Sequence, residues 1–351
     1  MSMMSIVYFV IVLSVIVFVH ELGHFICAKH FGVYCAEFSL GMGPALYKKQ
    51  IGETTYALRA LPIGGFVQMA GEEGEDFDVP FERTIKGIKV WKQVVVMAAG
   101  AIMNILLAWV IMVGITMYQG AVREDAPAEV IGTVENSPAE LAGFQSGDLI
   151  KKVTFENGDS IVPDTFNEIL IELQNYPKDK ATYQIDRDGK NITIQCKPAY
   201  LKEDNRYYLG VNLPSNIKKI AWYEAFNYGT KNMLAMSTAI FDAFANLIRG
   251  IGLQNLAGPV GIFEITAKTV SNGFLSILNL LAMFSLNIGI FNLIPIPVMD
   301  GGRIVITVCE KISGRKMSER FENGLMMTGV VLLIGLMLFA TWNDISRIFF
   351  S

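Results

Sequence analysis

Uncharged apolar residues run from Ile6 to Val19, and after His24 the apolar character resumes with Phe25, Ile26, Cys27 and Ala28. Four such stretches, about 5–28, 94–118, 274–297 and 322–341, are long enough to cross the ~30 Å hydrocarbon core of a bilayer as helices. Between the second and third lies a different pattern. From about 122 to 213 short alternating segments, Gly/Asn/Asp turns and scattered charges predict a soluble domain with strands. Within it, Gln184 to Ile194 predicts a hairpin turning at Asp188-Gly189. The chain therefore divides into 1–121 with two spans, an inserted domain at 122–213, a helical segment at 214–250, and 251–351 with two further spans.

Composition agrees with that pattern. Of 351 residues, 52% are hydrophobic and only 18% charged, below the roughly 25% of soluble domains. A net charge of −4 gives no reason to expect nucleic acid as a partner. Cys27, Cys35, Cys196 and Cys309 lack the spacing of a disulfide scaffold or a thiolate metal site. The first apolar run has no basic leader and no small-residue cleavage site, so it reads as a retained span.

Loop charge sets the orientation. Lys29, Lys48, Lys49, Arg59, Arg83, Lys86, Lys89 and Lys92 lie between the first two spans, and Arg303, Lys311, Arg315, Lys316 and Arg320 between the last two. Both loops are expected in the cytoplasm, with the inserted domain and both termini outside. Residues 232–248 are mostly apolar but interrupted by Asp242. A fifth span there would put the Arg303–Arg320 loop outside, so 214–250 is read as an amphipathic segment at the outer membrane face.

The candidate chemistry sits in the first span. His20-Glu21-Leu22-Gly23-His24 places two imidazoles four residues apart, on one helix face and close enough to share a metal ion. Glu21 points off that face and can act as general base on a water activated by the metal. Two imidazoles and a carboxylate in hydrocarbon are costly without a function. A protein-bound catalytic zinc usually takes three side-chain ligands. His30 falls off the face, and Asp300, in Asn292-Leu293-Ile294-Pro295-Ile296-Pro297-Val298-Met299-Asp300-Gly301-Gly302, is the candidate. With the N-terminus outside, the first and third spans both run inward, which puts Asp300 and the histidines at similar depth near the cytoplasmic boundary. Pro295 and Pro297 break the helix there, tolerable at membrane depth only beside protein or a water-filled cavity.

These two motifs resemble those of the site-2 protease family of intramembrane metalloproteases, nearest to the bacterial regulators of sigma-E-type stress responses. The resemblance covers nearly the whole chain. It implies one zinc ion per chain on His20, His24 and Asp300, with Glu21 as catalytic base. Gly100 to Asn104 matches the family's second core span, which would put Asn104 and Asn292 near the substrate backbone or the oxyanion; interhelical hydrogen bonding serves Asn104 equally well. The Pro295 and Pro297 break would lie beside the substrate too.

Read from the residues, Glu37–Pro44 and Arg59–Val67 are short strands and Gly/Pro turns. In the family this region is a membrane-associated sheet, whose edge at Gly64 and Gly65 would pair with an unwound substrate. The inserted domain resembles a PDZ domain: Asn136 to Ile150 carries the signature, and Leu209, Gly210 and Val211 would form the peptide-binding loop. It would act as a size filter. The expected fold is a polytopic α-helical membrane protein with four transmembrane helices, a membrane-associated β-region and one extracytoplasmic PDZ-like α+β domain. The expected activity is cleavage of single-span, anti-sigma-factor-like membrane proteins or signal-peptide remnants in a bacterial cytoplasmic (inner) membrane. Two alternatives stand beside it. A PDZ-bearing scaffold would need neither Glu21 nor Asp300, and a metal transporter would usually show internal repeats.

Overall fold

In the computed structural model, which describes residues 3–72, 77–124, 127–177, 179–201, 206–213, 216–250, 256–315 and 317–350, each long apolar stretch forms a helix. Peptide groups in hydrocarbon have no water to bond, and a helix closes them internally. In chain order the helices are α1 (Met3–His30), α2 (Val90–Gln119), α3 (Pro138–Ala142), α4 (Phe166–Asn175), α5 (Glu224–Ile248), α6 (Pro259–Val270), α7 (Phe274–Leu293), α8 (Asp300–Ser313) and α9 (Glu319–Phe350). Among the described residues, α1, α2, α7 and α9 are long and apolar enough to cross a membrane. The third span stops at Leu293, short of the expected 297, because Pro295 and Pro297 cannot continue it. The fourth runs on to Phe350, past the expected 341.

The chain falls into two compact units, Met1–Ile115 with Phe226–Ile240 and Ala257–Ser351, and Thr116–Ala225 with Phe241–Leu256. The expected insertion at 122–213 lies within the second. Its limits at 213/214 and 250/251 adjoin 214–215 and 251–255, which lie outside the described residues. Helix α5 is shared: Phe226–Ile240 belongs to the first unit, and the remainder from Phe241 to the second.

In the first unit α1 meets α6 and α7 through Val12, Ile16, Val270 and Ile277. Met233, Met236 and Ile240 of α5 pack on Ala108 and Met112 of α2 and on Ala282, Leu286 and Ile290 of α7. Asp344, fully buried in α9, accepts a hydrogen bond from the Gly261 N–H at 2.7 Å. That carboxylate satisfies a donor in the first turn of α6, where the helix dipole favours negative charge.

Between α1 and α2 lies a long antiparallel pair, β1 (Cys35–Ile51) and β2 (Thr54–Met69). Both strands bend, so residues 37–40 pair with 55–58 on one side and with 65–68 on the other. The short runs expected at 37–44 and 59–67 are thus parts of one curled sheet, with 65–69 as an edge strand. Phe38, Val67 and Met69 pack with Ala28 of α1 and Val96 of α2. The tip lies along α1, where the Ser14 hydroxyl donates to the Pro62 carbonyl at 2.6 Å. Met42, Leu46, Tyr47, Leu58 and Leu61 are exposed. An exposed apolar patch of this kind marks a surface meant for lipid or a partner.

The second unit is built on a five-stranded antiparallel sheet in which 129–130, 148–154, 181–187 and 190–196 follow one another and 160–161 pairs with 148–154. The expected hairpin is present: 181–187 pairs with 190–196 across Asp188 and Gly189, both at positive φ (51° and 77°). Phe166, Ile169 and Leu173 line one face of α4 and pack into a core with Phe144, Ile150, Tyr183 and Ile185. Asp148, with no exposed surface, is held by Arg187 at 2.6 Å (Nε) and 2.8 Å (Nη2) and accepts from the Gln145 N–H.

Candidate metal centre

Helix α1 presents His20 and His24 one turn apart toward α2, and the two helices touch there because both are glycine at the contact. A methyl on Gly23 would lie 2.4 Å from the Ala99 carbonyl oxygen, and one on Gly100 would lie 2.3 Å from His24 Nε2. Small residues bring helix backbones close enough for a second helix to touch ligand side chains directly. His24 Nδ1 lies 2.8 Å from the Val96 carbonyl oxygen. A carbonyl only accepts, so Nδ1 carries the proton and Nε2 keeps its lone pair for a metal.

Asp300 arrives from another direction. After α7 ends, the Pro295–Pro297 segment turns the chain, with the Met299 N–H donating to the Ile296 carbonyl at 2.9 Å, and α8 begins at Asp300. The expected ligand is thus the first residue of a separate helix, where the dipole favours a carboxylate. Its Oδ2 lies 3.3 Å from His20 Nε2 and 3.4 Å from His24 Nε2, and the two Nε2 atoms are 3.2 Å apart. Tetrahedral zinc with bonds of about 2.0–2.1 Å separates its ligand atoms by about 3.3 Å. The triangle therefore fits the ion. Asp300 Oδ2 is also buried without a hydrogen bond of its own, an orphan that a cation would satisfy. Among the described residues, these three form the one group of His, Cys, Asp or Glu side chains arranged to hold a metal ion.

The remaining predicted residues divide into those near this triangle and those apart from it. Glu21 turns toward the curled sheet: a Cβ on Gly65 would sit 3.5 Å from Glu21 Cγ, placing the edge strand beside the candidate base. Gly64 is adjacent, against the Met42 side chain. Asn104 is fully buried on α2, its Nδ2 3.4 Å from His20 Nδ1. Asn292 occupies the last turn of α7, and of the two prolines that follow, Pro295 is exposed and Pro297 half-buried. In the second unit Leu209 is buried, Gly210 has φ 81°, and Val211 pairs with Thr133.

The sequence assigns no role at the site to Glu72, and Arg303 enters it only as a loop charge. Glu72 accepts from Arg303 Nη1 at 3.2 Å and from the Met69 N–H at 3.4 Å, linking the end of β2 to α8 one turn past Asp300. Burial raises the Glu72 carboxyl above its ordinary value although Arg303 pulls the other way. Each was visible in the sequence only as a charge, Glu72 just past the second strand run and Arg303 directly after Gly302.

Comparison with known proteins gives the same picture. The profile of peptidase family M50 matches residues 8–336. The zinc metalloprotease RasP of Shouchella clausii is 30% identical, over 97% of this chain and 98% of its own length. A putative zinc metalloprotease of Campylobacter jejuni is 35% identical, over 97% of this chain and 92% of its own. The regulator of sigma-W protease RasP of Bacillus subtilis is 28% identical, over 98% of this chain and 99% of its own. With the profile spanning nearly all of its length and such relatives aligned almost end to end, the chain belongs to peptidase family M50, the site-2 proteases.

Proposed function

We propose that the chain is a zinc metalloendopeptidase that cleaves a transmembrane segment of its substrate, with His20, His24 and Asp300 as ligands and Glu21 as catalytic base. The observation that carries the reading is the ligand triangle of 3.2–3.4 Å edges toward the C-terminal end of an apolar helix, with Glu21 next to it in sequence. Zinc in that triangle supplies Lewis acidity, which lowers the pKa of water toward 7 and polarises the scissile carbonyl. The Glu21 carboxylate takes the proton of the attacking water and gives it to the leaving amine nitrogen. The two imidazoles stay neutral, and the Val96 carbonyl holds the His24 proton on Nδ1 throughout.

A transmembrane helix hides its peptide bonds and must unwind before water can attack. The edge strand 65–69, which begins beside Glu21, is a template on which an unwound substrate can add as a strand, at Gly64 and Gly65. Asn292, Pro295 and Pro297 flank the approach to Asp300 and contact the substrate backbone. The second unit is PDZ-like, with Leu209, Gly210 and Val211 at its peptide-binding loop. It faces outward with both termini and restricts access by size, and α5 lies at the outer membrane face. Basic loops at 29–92 and 303–320 support that orientation in a bacterial cytoplasmic membrane. Single-span proteins of the anti-sigma-factor kind, or signal-peptide remnants, are the substrates, a reading supported by the relative named for regulation of sigma-W.

The test uses the purified full-length chain and a single-span model substrate, with products located by mass spectrometry. A cut inside the apolar segment is expected, and Glu21→Gln should abolish it while bound zinc stays near one ion per chain. A cut confined to flanking soluble sequence, or full activity of Glu21→Gln, would overturn the proposal.

A further inference from the structure

Val96, Gly100 and Asn104 follow one another at intervals of four on α2 and form a stripe facing His24 and His20. The first offers a carbonyl to His24, the second makes room for the rings, and the third brings an amide to His20. We infer that Asn104 is a positioning residue: its side-chain oxygen accepts the Nδ1 proton of His20 and so fixes the tautomer and orientation in which Nε2 ligates the metal. This rests on the zinc reading above and deepens it.

His20 Nε2 faces Asp300 Oδ2 at 3.3 Å and His24 Nε2 at 3.2 Å, so Nε2 is the ligand atom. A neutral imidazole that ligates through Nε2 carries its proton on Nδ1. That proton points at the Asn104 amide, 3.4 Å away. Two N–H donors cannot bond each other, whereas an amide turned by 180° presents its oxygen in the same footprint. Asn104 Oδ1 is itself buried without a hydrogen-bond partner, and the turn gives it the His20 Nδ1 proton. Val96 does for His24 what Asn104 then does for His20. The backbone of α2 is anchored at this point, because the Asn104 carbonyl accepts from the buried Ser285 hydroxyl of α7 at 2.8 Å. A residue that donates to a substrate oxyanion needs a face open to substrate, and Asn104 has no exposed surface.

The experiment compares zinc affinity, by competition with a chromogenic chelator, for the full-length chain and its Asn104→Ala and Asn104→Asp variants, with cleavage measured at saturating zinc. Loss of an outer-shell partner weakens metal binding by about 10- to 100-fold, so Asn104→Ala should fall in that range. Asn104→Asp keeps an acceptor and should bind zinc within about threefold of wild type, as carboxylate–histidine–zinc arrangements do. An oxyanion donor gives the opposite pattern: zinc affinity unmoved in Asn104→Ala, and cleavage lost in Asn104→Asp because a carboxylate repels the oxyanion. That result overturns the inference, as does equal loss of zinc affinity in both variants. A measurement on the unaltered chain guards against misfolded variants. Spectra of ¹⁵N-labelled histidine in the zinc-loaded protein should place the His20 proton on Nδ1, and a proton on Nε2 would refute the assignment. Failure of zinc to bind wild type at all would instead defeat the underlying metal reading.

Discussion

Substituting Gly100 by alanine adds one methyl group at the point where α2 faces the ligand imidazoles. The new carbon would stand 2.3 Å from His24 Nε2 and 2.8 Å from both His24 Cδ2 and His20 Cε1. Ordinary contact begins near 3.4 Å, so the His24 ring must retreat by about 1.1 Å, the difference from 2.3 Å. The ring has little freedom to do so, because its Nδ1 is tied to the Val96 carbonyl at 2.8 Å. A displacement of that size is half the length of a zinc–nitrogen bond of about 2.0–2.1 Å. Misplacement of a reacting group by about 1 Å costs on the order of 10²-fold in rate. Helix propensity favours alanine over glycine by about 1 kcal/mol, so the helix itself is not weakened. Gly100→Ala should therefore lose about 100-fold or more in kcat/KM and release zinc on dialysis, read by mass spectrometry of the metal. Gly114→Ala, on the same helix with nothing within 4 Å of the added carbon, should stay within about twofold of wild type. Full zinc content and activity within about threefold of wild type in Gly100→Ala would refute the ligand geometry.

Asp300→Ala removes the single carboxylate ligand, so zinc and cleavage should disappear together; full metal occupancy in that variant would place the third ligand elsewhere. Arg187→Ala leaves Asp148 buried and unpaired in the second unit, which should cost that unit about 3 kcal/mol, read as faster hydrogen exchange along 148–154. A loss below about 1 kcal/mol would mean the ion pair is not what holds those strands. With the native cysteines replaced, a cysteine at Asn191 should react with an impermeant thiol reagent outside intact cells, and one at Gly314 only after the membrane is opened. Labelling at Gly314 from outside would reverse the orientation.

The zinc triangle was largely legible in the sequence, for a reason that is geometric. The spacing of His20 and His24 matches the period of a helix, and the absence of charge from Ile6 to Val19 fixes that helix as a span. Asp300 was reached through its depth alone, and the route it takes was not. The break at Pro295 and Pro297 was legible, although the span was drawn to 297; that a new helix opens at Asp300 after the break was not. The double pairing of residues 37–40 with both arms of β2 was also hidden, because strand register depends on partners distant in sequence. Local composition showed only short strands and turns. The Val96 carbonyl left no trace at all: a backbone acceptor has no residue type. Glu72 and Arg303 were visible as charges, but their pairing joins segments 231 residues apart.

The central claim is that a metal held by His20, His24 and Asp300 hydrolyses a peptide bond within an apolar segment. The most direct test is cleavage of a single-span substrate by the purified full-length chain before chelation, after removal of metal by a chelator, and after zinc is returned. Cleavage should vanish with the metal and recover fully at one zinc ion per chain, whereas undiminished cleavage by the metal-free protein would contradict the account.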